Sequence, residues 1–171
     1  MSDALHGVLI DSFTRIRDYL GEVLAGLTPV QLSWRPGLGA NSIGWLAWHL
    51  TRIQDDHIAA AAGATQVWTG SHWFERMALP YPATATGYGH TPADVAACRV
   101  ESVDLLAGYH QAVYEASVGF VERLTEADFH RIVDERWDPP VTMAVRLVSV
   151  ITDDLEHVGQ AAYVRGLLER A

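Results

Sequence analysis

The chain has 171 residues, 49% of them hydrophobic and 19% charged, with a formal charge of −9. That is the size of one domain, spanning 1–171, with a core of its own. No basic cluster exists to neutralise a nucleic-acid backbone, no apolar run reaches membrane-spanning length, and one cysteine excludes an intrachain disulfide or a thiolate-rich zinc site.

The first residues, Met-Ser-Asp-Ala-Leu-His, carry neither a basic nor an apolar leader segment, so a soluble, cytoplasmic protein is expected. Leu5, Leu9, Phe13, Ile16, Leu20, Val23 and Leu27 recur at three- and four-residue steps and predict a first amphipathic helix. Thr28-Pro29-Val30-Gln31 has the form of a capping box with a first-turn proline, opening a short extra turn. Asn41 or Ser42 caps the second helix, which ends at Gly63. Residues 64–91 form a connection of 28 residues, rich in glycine, proline and aromatics, with room for a short helix at Ser71–Leu79. Connections of that length are often lids or crossovers. Thr91-Pro92-Ala93-Asp94 repeats the cap-and-proline pattern and predicts a third helix running to Leu124, with Val95, Cys98, Ser102, Leu105, Leu106, Tyr109, Val113, Ser117 and Phe120 on one face. Cys98, among Ala96, Ala97 and Val100, reads as a buried small hydrophobe. Thr125 with Asp128 starts another turn, Asp138-Pro139-Pro140 breaks the chain, and a fourth helix is expected over about 141–168. Arg131–Asp134 is the one segment with an extended character, too short and isolated to predict a strand. The expected fold is all-α: a four-helix bundle with a long crossover between its second and third helices.

The chemistry concentrates at two places. His49 lies on the apolar stretch Ile43-Gly-Trp-Leu-Ala-Trp-His-Leu50, and Asp153 and His157 stand four apart in Thr152-Asp-Asp-Leu-Glu-His-Val158. Positions i and i+4 share one helix face, so Asp153 and His157 can converge on one point. If the helix of His49 packs there, two nitrogens and one oxygen meet. Three such ligands with further positions open describe a catalytic rather than a structural metal centre. The stripe Val150, Asp153, His157, Gln160 and Val164 implies that the carboxylate is drawn inward, where it must be paired or coordinated. The competing reading is a plain ion pair of Asp153 with His157 or Arg146. Asp154, three before His157, has the carboxylate-x-x-His spacing of di-iron bundles. Asp56-His57 lacks that spacing, and the third helix offers only Glu101 and Glu115, so a two-metal site is rejected. His57 lies about 80° round the helix from His49 and is expected at the flank or surface. His6, His90, His110 and His130 read as solvent residues. No nucleophile elbow, phosphate loop or dinucleotide fingerprint is present.

Three segments together, Asn41-Ser-Ile-Gly-Trp-Leu-Ala-Trp-His-Leu-Thr-Arg-Ile-Gln-Asp-Asp-His57, Thr86-Gly-Tyr-Gly-His-Thr91 and Asp153-Asp-Leu-Glu-His-Val-Gly-Gln160, resemble the DinB superfamily over nearly the whole chain. More narrowly they resemble its mycothiol S-transferase branch and the N-terminal part of mycothiol-dependent maleylpyruvate isomerase. The resemblance implies an up-down-down-up four-helix bundle, a divalent metal at His49, Asp153 and His157, and often a homodimer. Many relatives carry histidine where this chain has Asp153; the acid is the isomerase-type choice. It shifts the site toward harder metals, leaving zinc first with nickel, manganese and iron open. The chain stops at Ala171 without the isomerase's C-terminal domain, which argues against isomerisation. The implied function is a metal-dependent S-transferase in which a small thiol, mycothiol, is activated as a metal-bound thiolate for attack on an electrophile. Trp45, Trp48 and residues 68–74 are candidate walls of its mouth. Two other readings stay open: a hydrolase using metal-activated water, and a non-catalytic dimeric stress or binding protein.

Overall fold

The computed structural model describes residues 2–171, with side chains from residue 4 onward. Its elements are α1 (Ser2–Leu24), α2 (Pro29–Ser33), α3 (Ile43–Ala62), α4 (Val67–Gly70), α5 (Trp73–Met77), α6 (Pro92–Ala97), α7 (Val103–Val121), a 3₁₀ turn at Asp128–His130, β1 (Ile132–Asp134), β2 (Val141–Thr142) and α8 (Met143–Leu168). Hydroxyl caps set the starts of α2, α3, α6, α7 and α8. The Thr28 side chain accepts from the Gln31 amide and the Thr91 side chain from that of Asp94, each as a full capping box. Ser42 opens α3, and Gly63 ends it in the left-handed conformation at φ 64° that glycine adopts without strain.

Three expectations about the elements need correction. The third helix is not continuous: it stops at Ala97, the chain runs extended through Cys98, and Ser102 starts α7 by accepting from the Leu105 amide. A serine hydroxyl competes for backbone amides and favours a cap over a helix interior. Cys98 and Val100 are nevertheless buried, so the break keeps the apolar pattern while changing the backbone. The second correction is a strand pair. Residues 132–134 do extend, and β1 pairs antiparallel with β2 once the Asp138-Pro139-Pro140 segment has turned the chain back. The connection after α3 holds two short helices, α4 and α5, where one was expected over 71–79.

The four long helices are α1, α3, α7 and α8. The main packings are α3 on α8, α1 on α7, α1 on α8 and α3 on α7, so α1 and α3 stand across the bundle from each other. Two apolar clusters fill it. One joins Leu20 and Leu24 of α1, Ile43–Leu50 of α3, Leu106–Val113 of α7 and Val158–Val164 of α8. The other joins Leu9–Ile16, Ile58 and Ala61, Phe120 and Val121, and Met143–Val150. Gln54, Ser117 and Asp154 are buried on the helix turns between them, and Gln54 Nε2 donates to Ser117 Oγ at 2.8 Å. Leu5, the first apolar residue of the α1 pattern, is 40% exposed and belongs to neither cluster. Among the described residues no helix is long and apolar enough to cross a membrane.

Helix α3 is buried on every side from Ile43 to Arg52, because α2, α7, α8 and the long crossover enclose it. Arg52 and Asp55 lie inside that enclosure. Asp55 accepts from the amides of Val67 and Trp68 at 2.8 and 2.7 Å and from the Tyr109 hydroxyl at 2.8 Å. It thereby satisfies the free N-terminal amides of α4. Arg52 lies 3.5 Å from Asp55, donates from Nε to the Ala85 carbonyl at 3.1 Å, and stacks over Trp68. One buried ion pair therefore ties both ends of the crossover to α3. Removing one partner of a buried pair leaves an unpaired charge in a low dielectric, so Asp55→Ala is expected to cost about 3–5 kcal/mol in denaturant unfolding. Asp11→Ala, which breaks the exposed Asp11–Arg15 pair, should leave the midpoint unchanged.

Candidate functional site

His49, Asp153 and His157 each offer one ligand atom, and these atoms all lie within 4.8 Å of one another. The packing of α3 on α8 brings them together. The rings of His49 and His157 stand edge to face at 4.8 Å between centroids, and His157 Nε2 is 3.7 Å from Asp153 Oδ1. Exposure is graded: His49 is 6% exposed, the His157 side chain 17% and that of Asp153 35%. The cluster is thus anchored on its α3 side and open on its α8 side.

Hydrogen bonds assign the free nitrogens. His49 Nδ1 is 2.5 Å from the Thr86 carbonyl, which can only accept, so Nδ1 carries the proton and Nε2 keeps its lone pair. His157 Nδ1 lies 3.2 Å from Gln160 Oε1, leaving Nε2 toward Asp153. Orientation of a ligand imidazole by a carbonyl on its other nitrogen is the usual support of a metal centre. Burial pushes the His49 pKa below its ordinary value, against the opposing pull of the Thr86 bond, so the ring is neutral near pH 7 as a ligand must be. Trp45 stacks on His49 at 4.6 Å and 16°, fixing the ring plane.

The set fits a divalent cation on an observation of its own. Asp153 Oδ2 is buried and has no hydrogen-bond partner, an arrangement costly for an ionised carboxylate unless a cation completes it. Around zinc at about 2.0–2.2 Å, neighbouring ligand atoms stand about 3.3 Å apart, so closing this triangle takes at most about 1 Å of movement from any side chain. The partly exposed Asp153 and His157 can supply that by torsion.

The ion-pair alternative for Asp153 is half realised: it faces His157, while Arg146 instead binds Asp134 at 2.7 Å and approaches His57. The inward carboxylate of α8 is Asp154, not Asp153. Asp154 lies on the buried stripe with Leu147, Val150, Val158 and Ala161, and burial, then Asp153, pushes its pKa well up. One residue turns a helix by about 100°, which separates the core carboxyl from the one facing His49. Of the expected aromatic walls, Trp45, Trp48, Trp68 and Trp73 all belong to the core, and Trp45 also stacks on His49. Three histidines read as solvent residues are not: His6 is half-buried, with Nε2 2.9 Å from the Leu124 carbonyl. His110 is buried, and His90 accepts from Trp45 Nε1 at 3.2 Å while stacking on Trp48. His90 thus buttresses Trp45, and through it His49; a histidine directly after Gly87-Tyr-Gly89 was the only trace of this in the sequence.

A helical bundle carrying a side-opening cluster of two imidazoles and a carboxylate, compatible with a divalent cation, is the class that fold and site define. Residues 12–161 match the DinB superfamily, and the chain belongs to it. That superfamily includes metal-dependent enzymes. A crystal structure described as the conserved protein of locus from Enterococcus faecalis is similar, at 32% identity and a TM-score of 0.90, over 96% of this chain and 97% of that one. No curated protein matches the sequence.

The loop over His49 generates a prediction. Gly87 has φ +97°, and a Cβ there would stand 2.5 Å from His49 Nδ1 and 3.1 Å from both Trp45 and Trp48. Gly87→Ala should weaken divalent-ion binding at least about tenfold in calorimetry, because the ring must leave its seat. Gly89→Ala, at φ +77° but with nothing within 4 Å, should lower stability through backbone strain and leave ion affinity intact. Equal affinities in the two variants would show that this loop does not position the ring.

Proposed function

We propose that the protein is a metal-dependent S-transferase that uses a small thiol, mycothiol, against an electrophile. The observation that carries this reading is the half-open set of His49, Asp153 and His157, buried at one imidazole and accessible at the carboxylate. Such a set holds a cation while leaving coordination positions toward solvent, as catalytic centres do. A divalent cation there would supply positive charge that lowers the pKa of an incoming thiol. Zinc suits two imidazoles and one carboxylate, with nickel, manganese and iron as competitors.

The chain's own residues divide the remaining work. Asp153 contributes one negative charge and the imidazoles none, so the occupied set keeps a net charge of about +1 to attract an anion. Thr86 and Gln160 hold the two rings with their Nε2 atoms toward the cluster. Trp45, backed by His90, closes the α3 side to water. Tyr88, 91% exposed two residues beyond Thr86, is placed to meet a substrate.

We read the bundle as up-down-down-up. The end of α1 shares its apolar cluster with the end of α8 and with the starts of α3 and α7, which supports that order. We further read the chain as one cytoplasmic domain that pairs as a homodimer. A largely apolar surface hollow lined by Leu5, Val8, Phe129 and Ala144 supports an apolar contact between copies.

Isothermal titration of the metal-loaded protein with mycothiol should give saturable binding that His49→Ala abolishes. Turnover of monobromobimane should require the thiol and the metal together. Thiol-independent turnover of a substrate panel would favour a hydrolase at the same centre, and full thiol affinity in His49→Ala would remove the mechanism.

A further inference from the structure

Across the bundle from the α3–α8 cluster, α1 and α7 leave a cleft of about 340 Å³. Its opening exists because Gly21 and Ala107, both exposed, face it from the two helices with little or no side chain. Leu20 and Leu24 supply apolar wall, and His110 lies at its base. At one edge Arg17 pairs with Asp18 at 2.7 Å and stacks over Tyr114 at 4.4 Å, so the rim has no net charge.

His110 is 2% exposed, and its Nε2 is buried without a hydrogen-bond partner. Its tautomer follows from its neighbours. Thr51 Oγ1 donates to the Ala47 carbonyl at 2.8 Å, so toward His110 Nδ1, 3.1 Å away, it can only accept. Nδ1 therefore carries the proton, and Nε2 presents a bare lone pair. His110 lines the cleft and its Nδ1 is engaged by Thr51 of α3, so Nε2 is the ring nitrogen left for a partner from the cleft. Burial, then Arg17, lowers the His110 pKa to about 4, so the ring is neutral at pH 7 and Nε2 remains an acceptor. An unpartnered acceptor at the base of a small, mostly apolar cleft is the arrangement of a ligand site.

We propose that the α1–α7 cleft is a second small-molecule site, taking a neutral alcohol or phenol whose hydroxyl donates to His110 Nε2 and whose apolar body lies against Leu20, Leu24 and Ala107. The Arg17–Asp18 pair leaves the rim without net charge, so an ion at the base of the cleft would be buried without a counter-charge, whereas a neutral hydroxyl can donate there at no such cost. The site is independent of the metal cluster and of the transferase reading.

The probe is phenol, titrated at pH 7 into the full-length protein and followed by the imidazole nitrogen resonances of all histidines. The expected result is a saturable shift of the His110 Nε2 resonance, larger than that of any other histidine. Anisole, which has the same ring but no hydroxyl proton, should bind about tenfold more weakly. Gly21→Leu blocks the cleft without a clash, since a Cβ at Gly21 meets nothing within 4 Å, and should abolish the phenol shift in a protein of unchanged helicity. An unsaturable response, equal affinity for anisole, or phenol binding that survives Gly21→Leu would each overturn the proposal. Should Gly21→Leu fail to fold, the phenol–anisole comparison on the unaltered protein decides alone.

Discussion

The buried pair of Arg52 and Asp55 is the constraint on which the rest of the architecture rests. It is an expensive interaction, because both charges are withdrawn from water and the guanidinium is incompletely bonded, with Nη2 lacking a partner. What it secures is position. Asp55 holds the start of the crossover through Val67 and Trp68, and Arg52 holds its far end through Ala85. The next residue is Thr86, whose carbonyl orients His49. The crossover is thereby fixed at both ends against the helix that carries His49. A bundle without that pair could keep its apolar clusters and still lose the imidazole's orientation.

The position of the cluster follows from a second constraint, the phase of α8. Its buried stripe is set by Leu147, Val150, Asp154, Val158 and Ala161, and this places Asp153 and His157 on the flank that meets α3. Membership of the DinB superfamily and the likeness to the Enterococcus faecalis structure agree with a fold built this way. The cluster is neither sealed in the core nor free on the surface. That intermediate burial neutralises His49, leaves one oxygen of Asp153 unpartnered, and keeps the α8 side accessible.

Much of this was legible in the sequence, and the misses have physical reasons. Thr28 with Gln31, Thr91 with Asp94, Ser42 with Trp45, and Gly63 with Ala59 and Ala60 marked helix ends, because caps are local interactions within about one helical turn. The convergence of His49 with Asp153 and His157 was readable from an i, i+4 pair and an imidazole on an apolar helix. The break at Ser102 was hidden, because Cys98 and Val100 are buried whether the backbone is helical or extended. The strand pair depends on two segments separated by a proline turn, and neither is long enough to announce itself. Asp153 kept the ligand position while the inward carboxylate is Asp154, because adjacent residues differ by about 100° in helical phase. Arg52, Asp55, His90 and His110 could not be read, since their partners lie far along the chain: Ala85, Trp68, Trp45 and Thr51.

The most direct test is anomalous diffraction from crystals of the protein grown with a divalent metal, collected on either side of that metal's absorption edge. The account predicts one strong site per chain between α3 and α8, within bonding distance of Nε2 of His49, Nε2 of His157 and a carboxylate oxygen of Asp153. A site held by other residues, or a cluster that stays empty at saturating metal, would contradict it.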